Sequence, residues 1–210
     1  KQALEESAIA DYEILFATNS APDGTHDSTP EVASQIAKEN PLARHIHYAR
    51  YAGLGFKYRN TVKIATKDYI LMIPGSNVIE KKSLIESFKN IGKAPLIIAY
   101  TVNPEARPFI VKFVSRGFIT LCNILFGLKL KYYNGTCMYL REILNLVPMS
   151  ADNPCYNAEI VIYLLKSGIK YIEIPQTIRK VSAGRTFNLK SVWDTSGTII
   201  SLFWNIYFKK

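Results

Sequence analysis

Apolar runs of strand length alternate with amphipathic stretches along most of this chain, which predicts an α/β fold. Most of these runs end in turn-forming residues such as Pro, Gly, Asn and Ser. We expect strands at residues 12–17, 45–49, 69–73, 95–101, 131–137 and 171–175. We expect helices at residues 2–10, 30–40, 56–66, 80–90, 158–167 and 189–207.

The segment at residues 107–130 differs from the rest because it is long, apolar and carries only basic charges. This pattern predicts one or two amphipathic helices, which either pack as a hairpin on the core or lie on a membrane surface. The longest apolar stretches, at residues 117–128 and 198–208, are broken by Asn123 and Asn205 and are shorter than the ~20 residues that cross a bilayer. We therefore expect no membrane-spanning segment.

Composition narrows the class of protein and of partner. With 210 residues, 48% of them hydrophobic and 12% aromatic, the chain is expected to bury a sizeable core. The formal net charge of +9 favours an anionic partner such as a phospholipid surface or a polyprenyl phosphate. Nucleic acid is not expected, because the cations are not interleaved with aromatic residues in a recognisable module. Cys122, Cys137 and Cys155 form no Cys-x-x-Cys pair and predict reduced core thiols in the cytoplasm.

Two strand-to-turn units carry the first candidate chemistry. The strand at residues 12–17 leads into a loop at 18–28 that contains Thr18, Asn19 and Asp23. The strand at residues 69–73 leads into the turn Pro74-Gly75-Ser76-Asn77. Parallel strands deliver such loops to a ligand site, and a metal-bound nucleotide diphosphate usually requires carboxylates there. Most of the positions at which these carboxylates are expected hold neutral side chains instead.

Further candidates have both a structural and a functional interpretation. Gly53-Leu54-Gly55 is a tight turn or a phosphate-binding loop. His45 and His47 alternate along a strand, so both rings face one side, as a polar face or as two metal ligands. Asp152 and Glu159 are candidate general bases, although each also suits the start of a helix. The loop at residues 179–186 combines three cations with Gly184, which suits either phosphate binding or a solvated surface.

Three later motifs complete the pattern: Tyr133-Asn134-Gly135-Thr136, Asn157-Ala158-Glu159, and Gly168 followed by Glu173-Ile174-Pro175. In order, the whole set resembles family-2 glycosyltransferases of the GT-A fold, in particular dolichyl- and polyprenyl-phosphate sugar transferases. Residues 16–25 resemble that family's Val-Asp-Asp-x-Ser-x-Asp-Gly-Thr loop. Residues 51–55 with Arg59 resemble its Asn-x-Gly-x-Gly segment, and residues 73–78 a Pro-Gly-Asp-Asn-Glu variant of its metal-binding Asp-x-Asp. Residues 179–186 are similar to its Arg-x-x-Gly-x-Ser segment.

The resemblance implies a GT-A-like, mixed and mostly parallel sheet flanked by helices, with amphipathic helices toward the C-terminal half. It also implies sugar transfer from a nucleotide-diphosphate sugar to a lipid phosphate or another glycan acceptor. The residues it assigns to the nucleotide sugar are Thr18, Asn19, Asp23, Gly53, Gly55, Arg59, Ser76 and Asn77. Those it assigns to the diphosphate and acceptor are Asn134, Arg179, Arg185 and Thr186, with Glu159 or Asp152 as the base. Mg²⁺ or Mn²⁺ would find only Asn77 as a weak ligand, because the metal-binding acids are replaced.

The resemblance divides the chain into a GT-A-like domain at residues 1–188 and an amphipathic helix at 189–210. Residues 1–100 form the nucleotide-binding half and residues 101–188 the acceptor half. The family's opening strand and its Pro-x-Tyr-Asn-Glu turn are absent from this sequence. The replaced acids leave two functions open: an active transferase that relies on Arg179 and Arg185, or a catalytically silent domain that binds a partner protein or an anionic lipid surface. A Rossmann-type dinucleotide enzyme is not expected, because this sequence lacks the third glycine of the dinucleotide-binding motif. The expected location is the cytoplasm, either free or peripheral at the cytoplasmic face of the membrane.

Overall fold

The computed structural model describes residues 2–21, 23–25, 27–180 and 189–208. Its strands are β1 Ile14–Asn19, β2 Ala43–Tyr48, β3 Tyr69–Leu71, β4 Leu96–Thr101, β5 Met138–Leu140 and β6 Tyr171–Gln176. Its helices are α1 Gln2–Glu6, α2 Thr29–Glu39, α3 Leu54–Val62, α4 Lys81–Lys89, α5 Phe109–Phe126, α6 Tyr156–Lys166 and α7 Leu189–Tyr207. The expected α/β class is confirmed.

The strands form two sheets. β1 and β2 pair in parallel, with Ile14 opposite Ala43 and Asn19 opposite Tyr48. The second sheet has the order β3-β5-β4-β6, in which β5 runs antiparallel to both neighbours and β4 pairs in parallel with β6. The sheet is therefore mixed, as expected, and its helices flank it, but in the described part of the chain the strands do not join into one sheet.

The main core lies between the four-stranded sheet and three C-terminal helices. Leu96 and Ile98 of β4 have no solvent exposure, and neither have Ile160 and Ile162 of α6. Helix α6 is buried almost all round because the sheet lies on one side and α7 contacts another. All three cysteines are buried and unpaired, which confirms their prediction as core thiols. Burial raises the pKa of both the Cys122 and Cys155 thiols to about 12.

Residues 107–130 form a single helix, α5, and not a helix hairpin. The helix ends at Phe126 because Gly127 adopts a left-handed conformation and its N–H bonds to the carbonyl of Asn123. Among the described residues, α5 alone is long and apolar enough to cross a membrane, with 18 residues and a mean hydropathy of 1.6. The sequence predicted no such segment, and a single helix of this kind is weak evidence for a membrane span.

Two other element predictions were wrong. Residues 131–137 form a partly buried irregular segment, and the strand begins only at Met138. Asn157 holds this segment in place by donating to the carbonyls of Tyr133 and Gly135, so side-chain hydrogen bonds replace those of a sheet. Strand β1 continues through Asn19, so Thr18 and Asn19 lie in the sheet and not in the loop that follows.

Candidate functional site

Predicted site residues from two parts of the chain meet at the start of helix α3. We call this the α3 junction, defined by Gly53, Gly55 and Arg59 together with Ala151 and Asp152. The Gly55 N–H donates to the carbonyl of Asp152 at 2.9 Å. A Cβ at Gly53 would lie 2.2 Å from the Asp152 carbonyl oxygen, and one at Gly55 would lie 2.0 Å from that of Ala151. At both positions the close approach of the protein backbone is by itself enough to require glycine, with or without a bound ligand.

Arg59 fixes the same loop from the next turn of α3. One of its guanidinium nitrogens donates to the Met149 carbonyl at 2.7 Å, and another donates to an Asp152 carboxylate oxygen at 2.8 Å. The Asp152 side chain nevertheless keeps 62% of its surface exposed. Asp152 is thus a carboxylate held in one orientation and open to a ligand.

Glu159 lies in the first turn of α6 and is only 3% exposed. One carboxylate oxygen accepts from the N–H and the hydroxyl of Ser150, at 3.0 and 2.5 Å, and the other accepts from the Ala151 N–H at 3.0 Å. These bonds occupy both oxygens and tie α6 to the loop of the α3 junction. In this arrangement both oxygens of Glu159 are engaged by the loop, whereas the Asp152 carboxylate is exposed.

The two residues that replace the expected paired acids face opposite sides of β1, because side chains alternate along a strand. The Thr18 hydroxyl lies 2.8 Å from His45 Nε2 and 2.9 Å from His47 Nδ1, on the side of a shallow groove along α2. Burial lowers the pKa of His45, and the neighbouring His47 lowers it further. The prediction that both rings face one side is confirmed.

On the other side of β1, the ammonium group of Lys57 donates to the side-chain oxygen of Asn19. Lys57 lies in α3, one turn from Gly53, and burial lowers its pKa. The sequence argument missed this residue. Its only signal was its position four residues after Gly53, which puts it on the same face of the helix start.

The turn at residues 74–77 lies close to Arg179, the first residue of the predicted basic loop. Asn77 has a φ of +53°, and its N–H donates to the Pro74 carbonyl at 3.3 Å. Ser76 and Asn77 are both exposed. The Arg179 N–H donates to the Val78 carbonyl at 2.8 Å. The chain therefore brings this turn next to exposed Arg179, whereas Arg185 and Thr186 lie outside the described residues.

The remaining predicted residues do not join the α3 junction through any described contact. Asp23 is fully exposed and accepts from the N–H and hydroxyl of Thr25, which lowers the pKa of its carboxyl. Asn134 is exposed and precedes Gly135, where an added Cβ would lie 1.8 Å from the Ala99 carbonyl oxygen. Gly135 is required there because the irregular segment crosses β4 in close contact.

The described residues do not fit a divalent metal site. None of them form a group of three or more His, Cys, Asp or Glu side chains that could hold a metal ion. Ser76 and Asn77, which stand where the resemblance expects metal-binding acids, offer only neutral oxygens, and Mg²⁺ and Mn²⁺ prefer carboxylates. We therefore propose no metal-dependent step.

The chain shares its fold with a mycobacterial protein of known crystal structure. The two are 13% identical, with a TM-score of 0.56, and the match covers 97% of this chain and 77% of the other. A second match, to mannosyl-3-phosphoglycerate synthase from Rubrobacter xylanophilus, has 11% identity and a TM-score of 0.49 and covers 96% and 75% of the two chains. No protein-family model matches the sequence, and no curated protein is similar to it. At these identities neither match assigns an activity to this chain.

Proposed function

We propose that this chain is a GT-A-like glycosyltransferase domain that binds a nucleotide-diphosphate sugar at the α3 junction and the neighbouring strand ends. The observation that carries the proposal is Asp152: an exposed carboxylate, held by Arg59, beside a helix start built from Gly53 and Gly55. The motif order along the sequence supplies the reaction class. The acceptor is a lipid phosphate or another glycan.

In the proposed reaction Asp152 accepts the proton of the acceptor hydroxyl or phosphate as that oxygen attacks the sugar. The leaving nucleotide diphosphate develops negative charge that cations must offset. We assign this role to Lys57, which donates to Asn19 at the end of β1, and to exposed Arg179 beside the Ser76–Asn77 turn. In this proposal their charge takes the place of a divalent metal ion.

A panel of UDP, GDP, dTDP and CMP sugars, each with Mn²⁺ and with EDTA, tests binding by thermal shift. A ligand at about 100 times its Kd adds about 2.7 kcal/mol, which is worth roughly 5–10 °C in Tm at this size. We expect one nucleotide class to raise Tm equally with Mn²⁺ and with EDTA. No shift with any nucleotide would contradict the proposal.

Turnover of the donor that binds then tests the role of Asp152. Asp152→Asn should abolish transfer while the nucleotide-induced Tm shift remains, and Glu142→Gln, an exposed acid after β5, serves as the control. Lys57→Met should weaken nucleotide binding itself. Transfer that survives in Asp152→Asn would assign the base elsewhere.

A second function, a silent GT-A-like domain, is favoured by one observation. Both oxygens of Glu159 are occupied by the loop, so one of the two candidate bases is already used for structure. A silent domain would bind nucleotide weakly or not at all and would give no product with any donor or acceptor.

A further inference from the structure

Two neighbouring helices, α5 and α7, carry the four most exposed large hydrophobic side chains of the described residues. Helix α5 buries only Cys122 and Phe126. Its outward side chains include Phe109, Phe113 and Ile124, which are 77%, 68% and 74% exposed. They recur at helical spacing over about 22 Å, given a rise of 1.5 Å per residue.

The C-terminal helix α7 also exposes large apolar side chains. Ile200 and Trp204 are 69% and 60% exposed, and Phe208, directly after the helix, is 60% exposed. The two helices are in contact: the Phe126 ring of α5 packs against the Phe203 and Tyr207 rings of α7. Exposed apolar residues are normally scattered, and a concentration of this kind marks an interaction surface.

The charges along α5 indicate which kind of partner binds the exposed apolar surface of α5 and α7. The helix contains no Asp or Glu, and its cations are Lys112 and Arg116. Lys112 Nζ lies 5.9 Å from the centre of the Phe109 ring, so a cation adjoins the apolar stripe. Lys129, just beyond the helix, is also exposed. Cations at the margin of an apolar stripe suit an anionic lipid surface, since long basic side chains reach the headgroups while apolar groups enter below them.

We propose that the α5–α7 face, defined by Phe109, Phe113, Ile124, Ile200 and Trp204, docks on an anionic phospholipid membrane. The inference is independent of the proposed function and goes beyond it. A second copy of the chain is disfavoured, because a symmetric interface would place the same cations against each other on two molecules of charge +9. Trp204 and Tyr207 near the end of α7 are also the residue types enriched where membrane meets water.

The helices lie along the membrane surface and do not cross it. Cys122 and Phe126 of α5 are fully buried in the protein core, so one side of that helix is already packed. A helix with one packed side, one apolar exposed side and cations between them matches the interfacial class. The exposed stripe is then the part that enters the lipid.

Tryptophan fluorescence and co-sedimentation test this docking. Trp193→Phe leaves Trp204 as the single reporter, since the chain has two tryptophans. Vesicles of phosphatidylcholine with phosphatidylglycerol should shift the Trp204 emission to shorter wavelength and pellet the protein in low salt. Phosphatidylcholine alone should do neither, and high salt should weaken the binding.

Matched variants distinguish the contribution of the α5–α7 face to vesicle binding from the contribution of the protein's overall charge. Ile124→Asp should weaken vesicle binding by about tenfold or more, because it puts a charge into the apolar layer. Arg116→Gln should weaken it by about fivefold, because it removes one contact with the headgroups. The controls Val32→Asp and Lys38→Gln change exposed residues of α2 by the same charge and should bind as the wild type does. Circular dichroism and Tm establish that each variant is folded.

Two results would overturn the proposal. If the wild type does not bind the anionic vesicles in low salt, the proposal is wrong and a protein partner is favoured for this face. Concentration-dependent self-association that Ile124→Asp abolishes, without vesicle binding, would make it an interface between copies of the chain.

Discussion

At the scale of single residues, the α3 junction depends on groups that have little freedom to change. Gly55 is buried against the Ala151 carbonyl, and Glu159 holds Ser150 and Ala151 from the opposite side. The loop that carries Asp152 is therefore fixed by a backbone contact and by a buried carboxylate. Substitutions at either position should act on stability first.

Replacement of the buried carboxylate gives the first prediction. In Glu159→Gln an amide NH₂ replaces an oxygen that accepts an N–H or O–H, so a donor faces a donor. We expect the free energy of unfolding to fall by about 1–3 kcal/mol, measured by urea denaturation. The control Glu142→Gln, on an exposed side chain, should change it by less than about 0.5 kcal/mol. Loss of turnover in Glu159→Gln without loss of stability would instead make Glu159 a catalytic residue.

A pair of glycine substitutions gives the second prediction. Gly55→Ala forces a Cβ within 2.0 Å of a backbone oxygen and should lower the free energy of unfolding by about 1–3 kcal/mol or more. Gly117→Ala, in the middle of α5 with no atom within 4 Å of its Cβ, should raise it by up to about 1 kcal/mol. The contrast fails if both variants shift stability in the same direction.

At the scale of elements, one carboxylate joins the start of β1 to its surroundings. Glu13 accepts from the N–H and hydroxyl of Thr66, at 2.6 and 3.0 Å, and from Arg44 of β2 at 2.6 Å. Burial raises the pKa of Glu13, but the hydrogen bonds from Thr66 and Arg44 outweigh this effect and hold its pKa below the usual value for a glutamate. The ionised form is the one that ties the two-stranded sheet to the segment before β3.

The pH dependence of this tie gives the third prediction. Because the folded-state pKa is depressed, the stabilisation is fully present above pH 4.5 and is lost as pH falls through the folded-state value. The difference in unfolding free energy between the wild type and Glu13→Gln should therefore shrink as pH falls below 4.5. Denaturant titrations over that range measure it, with Glu105→Gln, in the exposed turn after β4, as the control. A difference that stays constant with pH would contradict the assignment.

At the scale of the whole molecule, the two sheets differ in how well they are enclosed. Strand β4 has a partner on each side and exposes at most 1% of any residue from Leu96 to Ala99. Strand β1 pairs only with β2 among the described residues, and each of its six residues is half-buried although four are apolar. The stability of the molecule is concentrated in the β4 and α6 layers.

Hydrogen exchange gives the fourth prediction. Amides of β4 should exchange only through global unfolding, whereas those of β1 and β2 should exchange at least about tenfold faster through local opening. Native-state exchange read by NMR or mass spectrometry measures this. Equal protection of the two sheets would show that β1 and β2 open only with the core.

Sequence alone determined those features that depend on local periodicity. Apolar runs gave the strand and helix order, alternation placed His45 and His47 on one side of β2, and the absence of acids marked α5 as amphipathic and basic. Each of these follows from residues within a few positions of one another. The boundaries were less secure, as the early start predicted for β5 and the missed end of β1 show.

Only the tertiary structure decided what each candidate residue contacts. Arg59 and Asp152 are 93 residues apart in sequence, and no local pattern pairs them. Likewise, Glu159 and Asp152 are both acids near the start of α6, yet the fold buries one against Ser150 and Ala151 and leaves the other exposed. The physical reason is that burial and hydrogen-bond partners depend on which segments pack together, and that packing is a property of the whole chain.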